Sequence, residues 1–339
     1  MYRQYLVTGA TGFLGRAVVS ELESRGAEVR ALVLYGDPLA RELPGCAAAV
    51  EGDVCEEASL EAFFSGADEG TCVIHCAGIV SVASEPDALL YRVNVEGTRS
   101  ILKQCFSHHV GKLVYVSSVH AISEKPKGTA IAEPPELSPE LVQGDYGKSK
   151  AMATNLVKEA AENGLNVSIV FPSGIIGPGD IAGGSITQML LSFLAGRLPC
   201  AVEGGYDFVD VRDVARGILA CAESGRPGQG YILSGHYATI REILNIVKTA
   251  AGKKRRVLYL PLSLSRLIAP HYERYSLRRG KPLIFTPYSI AVLSSNGEFD
   301  HDRATRAFRY APRPLQNTLR DTVMWLQKGG ASRRKPYEA

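Results

Sequence analysis

Thr8-Gly9-Ala10-Thr11-Gly12-Phe13-Leu14-Gly15 sets the architecture of this 339-residue chain. The octet follows residues 5–8, an apolar run that reads as a strand. It opens an amphipathic stretch that reaches residue 25. Three glycines alone are a common turn signal. Between a first strand and a first helix they carry more weight. Glycines 9, 12 and 15 permit a tight turn, close backbone approach to a pyrophosphate, and close helix–strand packing. The helix start behind them offers unpaired N–H groups and the positive end of its dipole to phosphates.

Outward from this turn, strand-like runs at 29–34, 47–51, 71–75, 112–116 and 166–171 alternate with helical segments, the longest at 87–108 and 146–163. Regular strand–helix alternation means parallel strands joined by right-handed crossovers. The predicted fold is α/β, a Rossmann-type doubly wound parallel sheet with ligands at the carboxyl ends of its strands. After residue 171 the rhythm changes. A turn-rich loop at 172–180 leads to helices predicted at 185–194, 211–223, 239–251 and 314–327, with short strands near Phe208 and Tyr231. The expected division is a dinucleotide-binding domain over 1–175, to which about 205–235 returns, a smaller, mostly helical substrate cap over 176–330, and a tail at 331–339.

Composition narrows the function classes. Apolar residues are 45% and charged residues 22%, an ordinary globular balance. A net charge of +3 gives no footprint of a nucleic-acid protein. Seven cysteines without a Cys-x-x-Cys pair form neither a disulfide framework nor a zinc pattern, so no metal is expected. The chain enters a strand at once, without a signal-peptide pattern, and no apolar run has the length of a membrane span. A cytoplasmic enzyme acting on a small molecule is the expectation. Lys253-Lys-Arg-Arg256 reads as a solvated helix end. The interleaved cations and aromatics between Tyr272 and Lys281 read as an amphipathic substrate lid or a membrane-surface element, the lid being favoured.

Tyr146-Gly-Lys-Ser-Lys150 places a phenol and an ammonium four residues apart, on one helix face. A nearby cation stabilises phenolate, so such a tyrosine can exchange a proton with a carbonyl or alcohol oxygen. Ser117-Ser118 ends the fifth predicted strand, at the ligand edge, where a hydroxyl can hold the same oxygen. Alone, a Tyr-x-x-x-Lys pair is an ordinary surface pair; with the glycine turn and the serines it is a reacting set.

The ordered motifs resemble the extended short-chain dehydrogenase/reductase family, also called the NAD-dependent epimerase/dehydratase family. They are Thr8 to Gly15, Gly52-Asp53, Val73-Ile-His-Cys-Ala-Gly78, Asn94-Val-Glu-Gly-Thr98, Val114-Tyr-Val-Ser-Ser118, Tyr146-x-x-x-Lys150, Phe171-Pro-Ser-Gly174, Gly177-Pro-Gly-Asp180, and Phe208 through Ala215. The resemblance covers residues 1 to about 220 well and the rest loosely. It implies NAD(H) or NADP(H) as cofactor. Gly9, Thr11, Gly12, Phe13, Leu14 and Gly15 would hold the pyrophosphate, and Asp53 and Val54 would lie beside the adenine. Ala77, Gly78, Ser117, Pro172 and Gly174 would line the rest of the cofactor. Ser118, Tyr146 and Lys150 would be catalytic, with Tyr146 as acid/base and Lys150 holding the nicotinamide ribose. Asn94 is expected to pin its helix to the sheet, His75 to pack beside the glycine turn, and His120 lies within reach of substrate. Relatives pair through two long helices, which points to a homodimer through 87–108 and 146–163.

Departures from the family pattern refine this. The cofactor-selecting end of strand two reads Val33-Leu34-Tyr35, followed by Asp37 and Arg41, and leaves NAD and NADP both open. Ser118-Val119-His120 stands where dehydratases carry Thr-Asp-Glu, which argues against water elimination. Tyr206 stands where sugar-nucleotide epimerases place a diphosphate-binding arginine. The Gly-Tyr-Asp-Phe-Val-Asp-Val form and the aromatic-rich 260–288 segment look more like dihydroflavonol reductases and 3β-hydroxysteroid dehydrogenases. Hydride transfer on a carbonyl/alcohol substrate is the expected activity. The alternatives are a sugar-nucleotide epimerase with tightly held NAD, and a non-catalytic nucleotide sensor.

Overall fold

The computed structural model describes residues 2–84, 87–281 and 283–330, so the tail expected at 331–339 lies outside the described residues. The first half runs β1 (Gln4–Thr8), α1 (Phe13–Ser24), β2 (Glu28–Val33), β3 (Ala47–Glu51), α2 (Glu61–Phe64), β4 (Thr71–His75), α3 (Ala88–Tyr91), α4 (Gly97–Ser107), β5 (Lys112–Val116), α5 (Gly144–Glu162) and β6 (Val167–Pro172). The second runs β7 (Gly174–Ile176), α6 (Ser185–Leu194), β8 (Cys200–Val202), β9 (Gly205–Asp210), α7 (Val211–Ser224), β10 (Gly230–Leu233), β11 (His236–Thr239), α8 (Ile240–Ala250), β12 (Leu258–Leu260), α9 (Leu262–Arg278), α10 (Pro287–Ser294), α11 (Asp302–Phe308) and α12 (Leu315–Gln327).

Seven strands form one sheet in the order β10-β6-β5-β4-β1-β2-β3, with every pairing parallel. Helices cover both faces, so the central strands β4, β5 and β6 are buried at every position rather than at alternate ones. Alternate residues still sort to separate cores. Val7, Ile74, Val114 and Val170 pack toward Val18, Leu22, Ile218 and Leu219 of α1 and α7. Leu6, Val73, Leu113 and Ile169 face Phe63, Ile101 and Val157 of α2, α4 and α5. Strand order reverses between β1 and β4, and a crevice at that switch point is where such sheets bind ligands.

The rest of the chain folds over this edge. β9 lies between β7 and antiparallel β11, β8 pairs with β12, and α6, α8, α9, α10 and α12 complete a mostly helical region, while α11 packs back on α7 and β10. Strands β7, β8, β11 and β12 have three or four residues each, too few to print a period on the sequence. The helix expected as continuous over 87–108 contains a π turn at Arg92–Glu96. Its cause lies in Asn94, whose buried amide anchors the site below.

Candidate active site

The glycine turn fits a dinucleotide in its backbone. Gly9 has φ +65°, and a Cβ there would stand 2.7 Å from Ala77 N. A Cβ on Gly15 would collide with the Gly9 carbonyl. Gly12 caps α1 with no side-chain hydrogen bond, so the first-turn N–H groups have no side-chain acceptor there. That is the arrangement in which a helix start receives phosphate. His75 ties this turn to its neighbours. Its Nδ1 meets Thr8 Oγ1 at 2.6 Å and its Nε2 meets Thr98 Oγ1 at 3.1 Å, while Thr8 Oγ1 also accepts from Ala77 N at 3.2 Å. Burial pushes the His75 imidazole down to about 3, so it is a neutral strut.

Asn94 extends the brace. Its Oδ1 accepts from Ile79 N at 2.8 Å, and its Nδ2 donates to Ile79 O and to Ser149 Oγ, each at 3.0 Å. A π turn re-aims a side chain within an otherwise regular helix. Here it brings Asn94 against both the loop after β4 and α5. A Cβ on Gly78 would stand 3.0 Å from Asn94 Oδ1 and 3.8 Å from Lys150 Nζ, so these three residues meet at the switch point. Asp53 Oδ1 accepts from Cys55 N at 2.8 Å, and Val54 packs where Gly97 has no side chain. Pro172 pairs with Leu233, and Gly174 lies against Phe208 on β9. At the end of β2, Leu34 and Tyr35 are exposed, and Asp37 caps Leu39 N at 2.9 Å.

The two serines at the end of β5 have different tasks. Ser117 Oγ bonds Thr154 Oγ1 at 2.7 Å inside the sheet–α5 interface. Ser118 caps the short helical turn after β5, its Oγ accepting from His120 N at 3.2 Å, and its hydroxyl faces Tyr146. Burial pushes the Tyr146 phenol up, and the Ser118 hydrogen bond opposes that. Lys150 Nζ donates to Val116 O at 2.6 Å and lies 4.7 Å from the centre of the Tyr115 ring. Burial pushes this ammonium down to about 7. The Lys150 amine is thus moored to the end of β5, over the Tyr115 ring.

Aromatic side chains close the site from the cap. His120 stacks on Tyr206 with ring centres 5.4 Å apart and interplanar angle 11°, and stands edge-on to Tyr146 at 5.8 Å. Tyr288 Oη lies 3.3 Å from His120 Nδ1. Beyond this cluster opens a cavity of about 80 Å³ with mixed walls, apolar at Ile122, Ile131, Val292 and Phe299 and polar at Glu124, Gln143, Ser295 and Asn296. Tyr288, Phe299 and Asn296 were not singled out by sequence. Nothing local marks them, because they come from separate cap segments that meet only in the fold.

The sequence profile of the NAD dependent epimerase/dehydratase family matches residues 5–234. The chain belongs to that family. Within it, Sterol demethylase protein B of Methylococcus capsulatus is 32% identical over 329 residues, 96% of this chain and 98% of that protein. A putative dihydroflavonol 4-reductase of Synechocystis is 31% identical, covering 96% and 95%. Human 3 beta-hydroxysteroid dehydrogenase type 7 is 29% identical, covering 97% and 96%. The crystal structure of gox2253 superposes with a TM-score of 0.83 at 32% identity, covering 97% of this chain and 99% of that one. These likenesses put this epimerase/dehydratase-family member in the extended short-chain dehydrogenase/reductase group, in the branch of dihydroflavonol reductases and 3β-hydroxysteroid dehydrogenases. It is an NAD(P)-dependent oxidoreductase.

Proposed function

We propose that this family member transfers hydride on a carbonyl/alcohol group of an apolar small molecule, with Tyr146 as the acid/base. The observation that carries the proposal is the Tyr146 phenol beside the Ser118 hydroxyl and edge-on to His120, a wall of the cavity. The glycine turn with Asp53, Val54, Ala77 and Gly78 would hold NAD(H) or NADP(H), which supplies the redox partner when bound. Ser118 orients the substrate oxygen, and Tyr146 passes or receives its proton. Lys150, as a cation, favours phenolate and donates to the ribose. Neutral His120, pushed down to about 4 by burial, shapes the cavity wall without bringing charge to an apolar ligand.

The test is Tyr146→Phe. Turnover of a reactive ketone should fall about 10²–10⁴-fold, while the affinity for reduced cofactor, read by fluorescence titration, changes little. Undiminished turnover would overturn the mechanism. Tyr206 has no guanidinium for a diphosphate, so calorimetry with sugar nucleotides should register no binding. Two further expectations belong to this reading. The seven cysteines are all free, which suits a cytoplasmic enzyme. A homodimer through the α3–α4 and α5 faces, where Leu89, Phe106 and Met152 are exposed, should elute at twice the chain mass in light-scattering chromatography.

A further inference from the structure

Helix α9 is built inside out. Its buried stripe, Ser265, Ala269, Glu273 and Ser276, is small and polar, and the Glu273 carboxylate accepts from Ser84 N at 2.8 Å on the loop beneath it. Leu262 and Tyr272 pack inward beside Ala269 and Phe285, but the other large apolar residues stand outside. Leu264, Leu267, Ile268 and Tyr275 follow helical spacing along one exposed face, and Leu267 is 71% exposed. A surface helix of a soluble domain ordinarily turns such a stripe inward. Cations border this face. Arg274, Arg278 and Arg279, with His271 and Tyr275, line an open hollow of about 420 Å³. Lys281 follows, its Nζ donating to Tyr275 Oη at 3.1 Å. The single acid between residues 262 and 281 is Glu273, on the buried side.

We propose that α9 is a docking helix for an anionic lipid bilayer. It lies in the interface plane, with Leu264, Leu267, Ile268 and Tyr275 at the acyl boundary and Arg274, Arg278 and Arg279 on lipid phosphates. Apolar burial and attraction to anionic lipid together set the strength of such binding. Guanidinium groups match phosphate oxygens in pairs, and the hollow between the arginines offers the room. No described helix is long and apolar enough to cross a membrane, so α9 lies on the surface. The charge pattern selects this occupant over a second copy of the chain. A two-fold pairing of α9 faces would set like cations against each other with no carboxylate between them.

The test is co-sedimentation of the full chain with phosphatidylcholine vesicles, with and without phosphatidylglycerol. Binding is expected only with the anionic lipid and should weaken as salt is raised. Leu267→Glu/Ile268→Glu should lower partitioning at least tenfold at an unchanged melting temperature. Arg274→Gln/Arg278→Gln/Arg279→Gln should lower it roughly fivefold per cation removed. No binding to either vesicle, or equal binding by wild type and both variants, would overturn the proposal. So would light-scattering chromatography in which the wild type self-associates and the Leu267→Glu/Ile268→Glu chain does not, since α9 would then face a second copy. Because vesicle binding is read without substrate, it stands or falls separately from the Tyr146→Phe result.

Discussion

At Gly15 a single methyl group is the difference between a closed turn and a broken one. Its Cβ would meet the Gly9 carbonyl on rigid backbone. Gly15→Ala should cost about 1–3 kcal/mol in equilibrium unfolding and abolish cofactor binding in a fluorescence titration. Ser118→Ala should lower kcat by about 10²–10³-fold, whereas Ser117→Ala, which removes a bond to Thr154, should act on stability and leave kcat nearly intact. The sequence places two adjacent serines at the strand end, and only the direction of each hydroxyl separates their roles. His75 makes a prediction in pH. Its folded imidazole titrates at about 3, below the ordinary value of the unfolded chain, about 6.5. The unfolded state therefore takes up the proton first, and stability present above pH 6.5 is lost as pH falls toward 3. The melting temperature should drop between pH 7 and pH 5. A His75→Gln chain should melt lower at neutral pH and show a flatter decline, and an equally steep decline would exclude His75 as the source.

Among elements, the helix from 88 to 107 and α9 teach opposite lessons about legibility. The first was readable as a helix from its apolar spacing, and Asn94 as its pin to the sheet, but the π turn was not. It is a response to three hydrogen bonds made by one side chain across 15 and 55 residues of chain. Removing them in Asn94→Ala leaves Ile79 N–H and C=O, half-buried, and the buried Ser149 hydroxyl without this partner. Such a loss costs about 1–3 kcal/mol and should lower the melting temperature and weaken cofactor binding more than kcat. In α9 the sequence reading reaches only the interleaved cations and aromatics between Tyr272 and Lys281, and such a pattern is blind to direction. The same pattern describes a lid packed on substrate and a helix presenting its leucines to the outside. What decides is the inner stripe of Ser265, Ala269, Glu273 and Ser276, in which Ser265 reaches Leu260 O of β12 and Glu273 accepts from Ser84 N after β4, while the helix packs on α10.

For the whole molecule, the parallel sheet followed from strand–helix alternation and its crevice from the glycine turn, since both depend on local pattern. The helical C-terminal region also followed, with helices expected at 185–194, 239–251 and 314–327, but its short strands and the walls drawn from Tyr206, Tyr288 and Phe299 did not, because these are long-range products of packing. Cofactor choice is likewise unset by the exposed Leu34 and Tyr35 at the end of β2. Mass spectrometry of nucleotide released on denaturation addresses the whole catalytic cycle. An oxidoreductase that exchanges cofactor each turnover should carry far less than one nucleotide per chain. Near-stoichiometric NAD would instead mark a closed cycle, as an epimerase needs.

The edge strand β10 carries a consequence for how the chain is made. It seals β6, yet it is built from Gly230–Leu233, after α7 has crossed to the other face. A ribosome that has released only the first 200 residues has exposed six strands of this sheet with a temporary open edge, Val167–Pro172, rich in β-branched residues, besides the lasting edge at β3. Unpaired edges of that kind template aggregation. The vulnerable interval in synthesis is therefore the passage from residue 172 to residue 233, and a nascent chain arrested there is the species most in need of a chaperone.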